Sequence, residues 1–428
     1  MSSRRLEVFC FDERAGELVD DTQGLTFVYD ETWLGRGMPP LSQSLPLDGT
    51  FAREAVTAFF GGLLPEGAPR ELLARRLGIS FDNDFGLLEA LAGDTAGAVT
   101  LLAPGHAPTR GGDVEWLEEA QLGRLVEELP RRPMHADEDG EYRLSLAGVQ
   151  DKLPVLLGAD GRVGLTKGGT PSTHILKTPI ARLWDTVINE AACLEIGRRL
   201  GIEVAHAQPR RAAGREFLLV ERYDRELTDD GVRRLHQEDF CQALGVPARR
   251  KYESEGGPGL LDSFALLRRA VAVPARDAPR LLEYVALSFL VGNHDAHAKN
   301  YSLLYLPDSP RAMLAPAYDV LSTIVYRGTR NMSRKMAMKI GGEYRPDYVR
   351  ARHLERLIAD AKLGGAAGRR RLRAMAADAP IAARESCSEL SRAGWEAPVL
   401  ERIVEVVDER ARWLADAASV ARVGRARS

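Results

Sequence analysis

The stretch "FLVGNHDAHAKNYSLL" (residues 289–304) interrupts an apolar run with acid, histidine, lysine and amide side chains. Apolar residues precede it at positions 284–291 and resume after Asn300. A loop between two buried segments must find partners for its polar groups, and loops held by a rigid scaffold often carry function. We therefore expect the chemistry of the protein to centre on residues 292–300, here called the polar loop.

Asp295 and Asn300 lie five residues apart in the polar loop, a spacing used in phosphoryl transfer. In that chemistry an aspartate accepts or orients the proton of the attacking hydroxyl, and the asparagine oxygen binds Mg²⁺. Lys299 would neutralise charge on the transferred group. Because Mg²⁺ usually takes a further hard oxygen ligand, we look for a carboxylate beyond the loop. Asp319, in "LAPAYDVLST" (314–323), is the candidate.

A kinase also needs a cation on the nucleotide phosphates. Lys177, at the end of the predicted strand "THILK" (173–177), is the candidate, and Glu190 in the following predicted helix could pair with it. The turn "SLAGVQDK" (145–152) offers backbone N–H groups and Lys152 to phosphate oxygens. Their shared order along the chain favours a kinase more than any single match does.

Each of these signals has a plainer explanation when it is taken alone. A single D-x-x-x-x-N occurs by chance in many chains of this length. Lys177 would also suit a surface position at a strand end, and Glu190 a solvated helix face. His294 and His297 could be surface residues, or a metal-binding H-x-x-H pair with Asp295 as third ligand, although no further His or Cys lies at ligand spacing nearby.

The bulk composition narrows the class of protein. A chain of 428 residues is too long for one ordinary core, so we expect two or three subdomains. The net charge of −3 provides no global field toward nucleic acid or membrane. The apolar stretch at 281–291 is about half as long as a membrane helix, and "MSSRRLEVF" lacks the apolar core of a signal peptide. Four scattered cysteines without a C-x-x-C pair favour a reducing cytoplasm.

The order of elements predicts an α+β protein with two lobes, because strand patterns come first and helical periodicity follows. Residues 5–30 predict a β-meander whose turn is "DERAGEL" (12–18). The predicted domains are a small N-terminal subdomain, a linker with a helix, a strand-rich kinase N-lobe and an all-helical C-lobe that contains the polar loop. Their boundaries are 1–105, 106–141, 142–240 and 241–428.

A set of motifs runs through the chain in one order: "SLAGVQDKLPV" (145–155), "THILKTP" (173–179), "NE" (189–190), "LVERYDR" (219–225), "LHQEDFCQALG" (235–245), "KYESEGGPG" (251–259), "GNHDAHAKNYSLL" (292–304) and "LAPAYDVLST" (314–323). This set resembles the HipA family, serine/threonine protein kinases that act as growth-inhibiting toxins of bacterial type II toxin–antitoxin systems. The N-terminal strands and helices look like the small N-terminal subdomain of that family.

The resemblance implies a kinase-like fold, ATP and Mg²⁺ as cofactors, and a role for each candidate residue. Asp295 would be the catalytic base, and Asn300 and Asp319 would bind Mg²⁺. Residues 147–152 would cover the ATP phosphates and residues 238–240 would hold the adenine. The residues implied to contact ATP are Ala147, Gly148, Val149, Gln150, Asp151, Lys152, Lys177, Glu190, Glu238, Asp239, Phe240, His297, Ala298, Lys299, Asn300, Tyr318 and Asp319.

The resemblance also implies regulation and partners. Ser145 matches a serine that the family autophosphorylates, and a phosphate there adds about −1.5 to −2 charges beside the ATP phosphates, which would expel the loop. A HipB-like helix-turn-helix antitoxin would hold the kinase, and operator DNA would be reached mainly through that antitoxin. The target would be a translation component, with aminoacyl-tRNA synthetases as the leading class.

Two other functions stay open from the residues. A small-molecule phosphotransferase would use a His-Xaa-Asp pattern, but His294 is directly adjacent to Asp295, which breaks that pattern. A binding module with a catalytically dead kinase fold would not need its lysine, aspartates and asparagine intact. A neighbouring gene for a short helix-turn-helix protein would favour the kinase toxin over the phosphotransferase.

Overall fold

The computed structural model describes residues 4–90, 95–109, 111–130, 150–307, 309, 311–326 and 334–419. The chain forms two compact units. The first unit takes in residues 1–187, 205–251 and 301–315, and the second takes in 188–204, 252–300 and 316–428. Each unit is described by itself.

The strands belong to the first unit and form several sheets. They are β1 (Arg4–Cys10), β2 (Glu13–Asp21), β3 (Gly24–Tyr29), β4 (Val99–Leu102), β5 (Val114–Trp116), β6 (Lys152–Leu157), β7 (Val163–Thr166), β8 (His174–Lys177), β9 (Ala207–Ala212), β10 (Arg215–Glu221), β11 (Arg225–Thr228), β12 (Gly231–Arg234), β13 (His236–Asp239), β14 (Ser302–Tyr305) and β15 (Met313–Leu314).

The helices are α1 (Glu31–Gly35), α2 (Arg53–Gly61), α3 (Gly67–Leu77), α4 (Asp84–Ala90), α5 (Glu119–Glu128), α6 (Thr186–Arg199), α7 (Phe240–Ala243), α8 (Leu260–Ala270), α9 (Pro274–Val291), α10 (Ala351–Asp360), α11 (Gly365–Arg392) and α12 (Pro398–Ala418). Helices α1–α5 and α7 lie in the first unit, and α8–α12 with most of α6 lie in the second.

The predicted β-meander is present at the N-terminus, as the antiparallel sheet β3-β2-β1-β4. Its first turn is shorter than predicted, because β2 already begins at Glu13. Phe11 and Asp12 both have positive φ, 53° and 63°, which is the backbone that a tight two-residue hairpin needs. Alternating buried residues of the sheet pack on α2 and α4, with Phe59 and Phe60 fully buried.

A six-stranded sheet of order β5-β7-β6-β8-β10-β9 follows, with α5 packed against β9 and β10. Strand β8 lies between β6 and β10, so it is paired on both sides. The antiparallel register of β6 and β8 puts Lys152 opposite Lys177. Directly opposite residues of an antiparallel pair project from the same face of the sheet.

Two segments lie on the other side of the boundaries predicted from sequence. Strands β14 and β15 fall within the stretch 241–428 that we expected to be all-helical, yet they pair with β13 in a small sheet of the first unit. A short buried apolar run such as Ser302–Tyr305 does not show by periodicity whether it is strand or helix. Residues 188–204, expected in the strand-rich lobe, belong to the helical unit.

The second unit is built around α9, which packs on α8, α11 and α12. Helices α11 and α12 pack against each other and α10 contacts both. Apolar residues recur along α9 from Leu281 to Val291 and are buried there, which explains the long apolar run in the sequence. Within the described ranges, none of the helices combines the length and the apolar character that crossing a membrane requires.

Candidate active site

Helix α9 stops abruptly at Gly292 and delivers the chain into the polar loop. Gly292 has φ 71°, and its N–H points to the carbonyls of Phe289 and Ser288, which closes the helix end. A Cβ at this position would lie 2.4 Å from Cγ2 of Ile324. Both the backbone and the space therefore require glycine here.

Thr323 holds the beginning of the polar loop through three hydrogen bonds. The carbonyl of Gly292 accepts hydrogen bonds from the Thr323 N–H (3.1 Å) and the Thr323 hydroxyl (3.2 Å). The N–H of His294 donates to the Thr323 hydroxyl oxygen at 2.9 Å. These hydrogen bonds tie the loop to the segment that follows Asp319.

Asn293 links the two candidate aspartates through their backbones. Its amide oxygen accepts from the N–H of Asp295 at 3.0 Å, and its amide nitrogen lies 3.5 Å from the carbonyl oxygen of Asp319. A role for Asn293 was not predicted, because a single amide inside a polar loop carries no signal of its own.

The second half of the loop is a short 3₁₀ turn, Ala298–Asn300. The N–H of Asn300 donates to the carbonyl of His297 at 2.9 Å, and the Asn300 side-chain oxygen accepts from the N–H of His297 at 3.3 Å. The hydroxyl of Tyr318 donates to the carbonyl of Lys299 at 2.8 Å. Lys299 is buried whereas Asp295 is exposed, so the carboxylate is accessible to a large substrate.

Asp319 has φ 52°, a left-handed conformation that is uncommon for a residue with a side chain. Such backbone strain persists where the surroundings enforce it, and it concentrates at functional sites. Asn189 of α6 holds the following turn, since its amide oxygen accepts from the N–H of Ser322 (2.8 Å) and its amide nitrogen donates to the Ser322 carbonyl (3.0 Å). Asn189 is fully buried, and its role also went unpredicted.

The donor chemistry of the second unit fits Mg²⁺. The amide oxygen of Asn300 and the carboxylate of Asp319 are hard oxygen ligands, and both side chains are half-buried. Among the described residues, no group of three or more His, Cys, Asp and Glu is arranged to hold a metal ion. The alternative of an H-x-x-H metal pair with Asp295 therefore gains no support from the described part of the chain.

A role for Tyr252 was not predicted from sequence, although the residue lies in the motif "KYESEGGPG" (251–259). Its hydroxyl donates to Oδ1 of Asp295 at 2.8 Å. Its ring meets the ring of His297 edge-on, with centroids 5.2 Å apart. In the sequence, the motif shows a tyrosine, an aromatic residue with a polar hydroxyl, just ahead of a glycine-rich turn. That signal does not indicate which residue the hydroxyl contacts.

In the first unit, Lys152 and Lys177 are cross-strand partners and both are buried. Gln150 and Asp151 lie beside them, because the Gln150 amide donates to the Thr178 carbonyl (2.7 Å) and the Thr178 N–H donates to the Asp151 carbonyl (3.2 Å). Burial raises the pKa of Asp151 to about 6. Four predicted residues of this loop lie outside the described residues: Ser145, Ala147, Gly148 and Val149.

The burial of Lys177 and Glu190 excludes the two plainer explanations that place them at the protein surface. The Lys177 side chain is not at the surface, since the residue is 3% exposed, and Glu190 is 1% exposed rather than on a solvated helix face. Buried charges are rare unless something compensates them. Their burial favours a role in the site or in the fold over a chance match.

The side chains of residues 238–240 are engaged within the first unit. The Glu238 carboxylate accepts from the Ser42 hydroxyl, the Gln43 N–H (3.0 Å) and the Tyr305 hydroxyl (2.6 Å). Burial raises the pKa of Glu238 to about 7, against the opposing effect of these hydrogen bonds. Asp239 caps α7, and Phe240 is fully buried. The N–H groups of Asp239 and Phe240 also donate, to the Gln242 side chain (2.8 Å) and the Tyr301 carbonyl (2.9 Å), so a contact of this segment with adenine would fall to its other backbone groups.

Two family models match the chain. The model described as "HipA-like C-terminal domain" matches residues 144–386, and the model described as "HipA N-terminal domain" matches residues 6–102. The first covers the polar loop and most of the candidate site, and the second covers the N-terminal sheet and its helices.

Two similar proteins are named as kinases. The chain is 47% identical over 350 residues to "Putative kinase Y4mE" of Sinorhizobium fredii, covering 80% of this chain and 82% of that protein. It is 32% identical over 366 residues to "Serine/threonine-protein kinase toxin HipA" of Shewanella oneidensis, covering 82% of this chain and 81% of the toxin.

A solved structure is similar over almost the whole chain. It is described as the complex of the toxin–antitoxin proteins HipA and HipB of Shewanella oneidensis with operator DNA. The matched chain is 28% identical, with a TM-score of 0.79 and 96% of each chain covered. This match confirms the α+β, kinase-like fold that the sequence predicted.

Proposed function

The chain belongs to the HipA family of serine/threonine-protein kinases, and from that premise we propose that it transfers the γ-phosphoryl group of ATP to a protein hydroxyl, as the toxin of a toxin–antitoxin pair. One observation carries the proposal. An exposed aspartate, Asp295, is held through its backbone by Asn293, which also approaches the backbone of Asp319. These contacts join the backbones of Asp295 and Asp319 through one side-chain amide, which supports the proposal that a general base and a metal-binding carboxylate act together here.

In the proposed reaction each residue of the second unit has one task. The carboxylate of Asp295 accepts the proton of the incoming hydroxyl, whose oxygen bonds to the γ-phosphorus as the bond to the leaving ADP oxygen breaks. Asn300 and Asp319 would hold Mg²⁺, which when bound neutralises charge on the phosphate oxygens. Lys299, buried in the same loop, contributes a fixed positive charge.

In the proposed function, residues of the first unit contact the nucleotide. Lys152 and Lys177 present two ammonium groups from one face of the sheet, a pairing that is unfavourable unless anions compensate it. Phosphate oxygens are suitable anions. Residues 238–240 would hold the adenine through backbone groups, since their side chains are engaged in the fold.

The finer parts of the proposal concern regulation and partners. Ser145, in the motif that ends at Lys152, would be autophosphorylated and the enzyme silenced by it. The solved relative is described in complex with HipB and operator DNA; we propose a HipB-like antitoxin for this chain, with operator DNA reached through it. The proposed target is a translation component such as an aminoacyl-tRNA synthetase.

Incubation with γ-labelled ATP and Mg²⁺, with and without a bacterial lysate, tests these points, followed by mass spectrometry of the labelled sites. We expect label on Ser145 and on a small set of lysate proteins, with activity falling as Ser145 fills. Label on small molecules and none on protein would contradict the kinase proposal and favour the phosphotransferase. Label on protein but never on Ser145, with activity falling all the same, would remove only the self-silencing.

A further inference from the structure

The turn that follows Lys251 brings a tyrosine hydroxyl onto the proposed catalytic base. The Tyr252 hydroxyl lies 2.8 Å from Oδ1 of Asp295, within the range of a good O–H···O bond. The same side chain meets His297 of the polar loop edge-on. Tyr252 thus contacts the loop at the base itself and again two residues further on.

The backbone of Tyr252 is fixed by the turn that it begins. Its carbonyl accepts hydrogen bonds from the N–H groups of Glu255 (3.0 Å) and Gly257 (2.9 Å). Gly256 adopts a left-handed φ of 84°, which a glycine takes without strain. The hydroxyl is therefore presented by a closed turn rather than by an open loop.

A second segment joins this turn to the polar loop. The Glu253 carboxylate accepts from the N–H of Lys339 at 2.6 Å and pairs with its ammonium group at 3.3 Å. The N–H of Glu253 donates to the carbonyl of Ala337 (3.3 Å), and the N–H of Ala337 donates to the carbonyl of His294 (2.8 Å). Turn, bridging segment and polar loop are thus connected in series, with Tyr252 and Asp295 at the two ends.

We propose that Tyr252 is a positioning residue for phosphoryl transfer, which holds the Asp295 carboxylate in the orientation that accepts the substrate proton. The inference rests on the proposed function. A hydroxyl that donates to a carboxylate favours its charged form and restricts rotation about Cβ–Cγ. The same carboxylate oxygen of Asp295 then always faces the incoming hydroxyl. Tyr252 keeps its own proton throughout, and the substrate proton passes to Asp295.

Tyr252 could instead be a substrate of the kinase, and that role predicts a different result. A hydroxyl within hydrogen-bonding distance of a general base also meets the geometric condition for a substrate. If Tyr252 were a substrate, phosphate would appear on Tyr252 itself. If it positions Asp295, Tyr252 stays unmodified during turnover.

The test compares Tyr252→Phe with Tyr284→Phe. Tyr284 is a matched control in α9, because its hydroxyl accepts a hydrogen bond from Arg280 (3.1 Å) and plays no part in the proposed site. A hydrogen bond to a charged group contributes enough to change a rate by about tenfold or more when it is lost. We expect kcat of Tyr252→Phe to fall by about tenfold or more, with KM for ATP within about twofold of wild type. We expect kcat of Tyr284→Phe to be unchanged.

Three results would overturn the positioning role: a kcat of Tyr252→Phe at the wild-type level, an equal loss of kcat in both variants, or phosphate mapped to Tyr252. Asp295→Asn, assayed alongside, separates this inference from the proposed function. If Asp295→Asn keeps full activity, the assignment of the base fails. If Asp295→Asn is inactive while Tyr252→Phe is normal, only the positioning role fails. Thermal melts of all variants with Mg-ATP verify that each is folded and binds nucleotide.

Discussion

Lys152 and Lys177 lie directly opposite each other on β6 and β8, and both are buried. Like charges in directly opposite positions of an antiparallel pair are destabilising, and burial increases the cost. A fold that keeps both has compensating groups, and in the proposed account the phosphates of ATP are the strongest of them. The pair therefore supports the proposed contact with the ATP phosphates more strongly than either lysine alone does.

The variant Lys177→Ala should lose nucleotide binding and keep its fold. Lys177 is 3% exposed and engaged in the fold, so we expect the variant to melt at a lower temperature without ligand, and the test is the shift that Mg-ATP causes within each protein. Mg-ATP should raise the melting temperature of the wild type by mass action and raise that of the variant much less. Lys167→Ala is the control, since Lys167 directly follows β7 of the same sheet, pairs with Glu115 of β5 at 3.5 Å and is partly exposed. Equal stabilisation of Lys177→Ala and wild type by Mg-ATP would remove Lys177 from the nucleotide site.

The buried carboxyl group of Glu238 should make stability depend on pH. Burial raises its pKa in the folded protein from 4.5 to about 7, so the folded state favours the protonated form. The stability that it contributes is complete below about pH 4.5 and is lost as the pH rises through about 7, by at most about 3 kcal/mol. Unfolding by urea at pH 5 and pH 8 measures this loss.

The variant Glu238→Gln isolates that contribution, because the other titrating groups are common to both proteins. The free energy of unfolding of the wild type should fall relative to the variant between pH 5 and pH 8. A difference that stays constant across this range, or one that grows in the opposite direction, would show that Glu238 is ionised in the folded protein at neutral pH.

Gly292→Ala should destabilise the protein more than Gly394→Ala does. Both glycines have left-handed φ, 71° and 85°, so alanine costs roughly 1–2 kcal/mol at either position. A Cβ at Gly394 meets nothing within 4 Å, whereas one at Gly292 meets Ile324 at 2.4 Å. Overpacking of this kind adds about 1–3 kcal/mol. Urea unfolding measures both variants, and equal destabilisation would contradict the account of how α9 ends.

The elements with a clear period were predictable from sequence. The N-terminal meander and the strand that ends at Lys177 follow from alternation, and α6 and α9 follow from helical spacing. The polar loop stood out because it interrupts a buried run. Its Asp295 and Asn300 are close in sequence, so their spacing was visible.

The contacts that organise the site were not predictable, because they join distant parts of the chain. Tyr252 and Asp295 are 43 residues apart, and Asn189 and Ser322 are 133 apart. No local period marks either pair. Alternation likewise did not show which partner a side chain would meet, so Glu238 was expected at the adenine while its carboxylate bonds to Ser42 and Tyr305.

The central claim is that Asp295 is the base of a protein kinase, and one measurement tests it most directly. The rate of phosphoryl transfer from Mg-ATP to protein is compared between the wild type and Asp295→Asn, with thermal stabilisation by Mg-ATP as the control for binding. Asparagine keeps the size of the side chain and cannot accept the proton, so we predict a loss of at least about 10²–10⁴ in rate with stabilisation retained. A folded, nucleotide-binding Asp295→Asn protein that transfers phosphate at close to the wild-type rate would contradict the account.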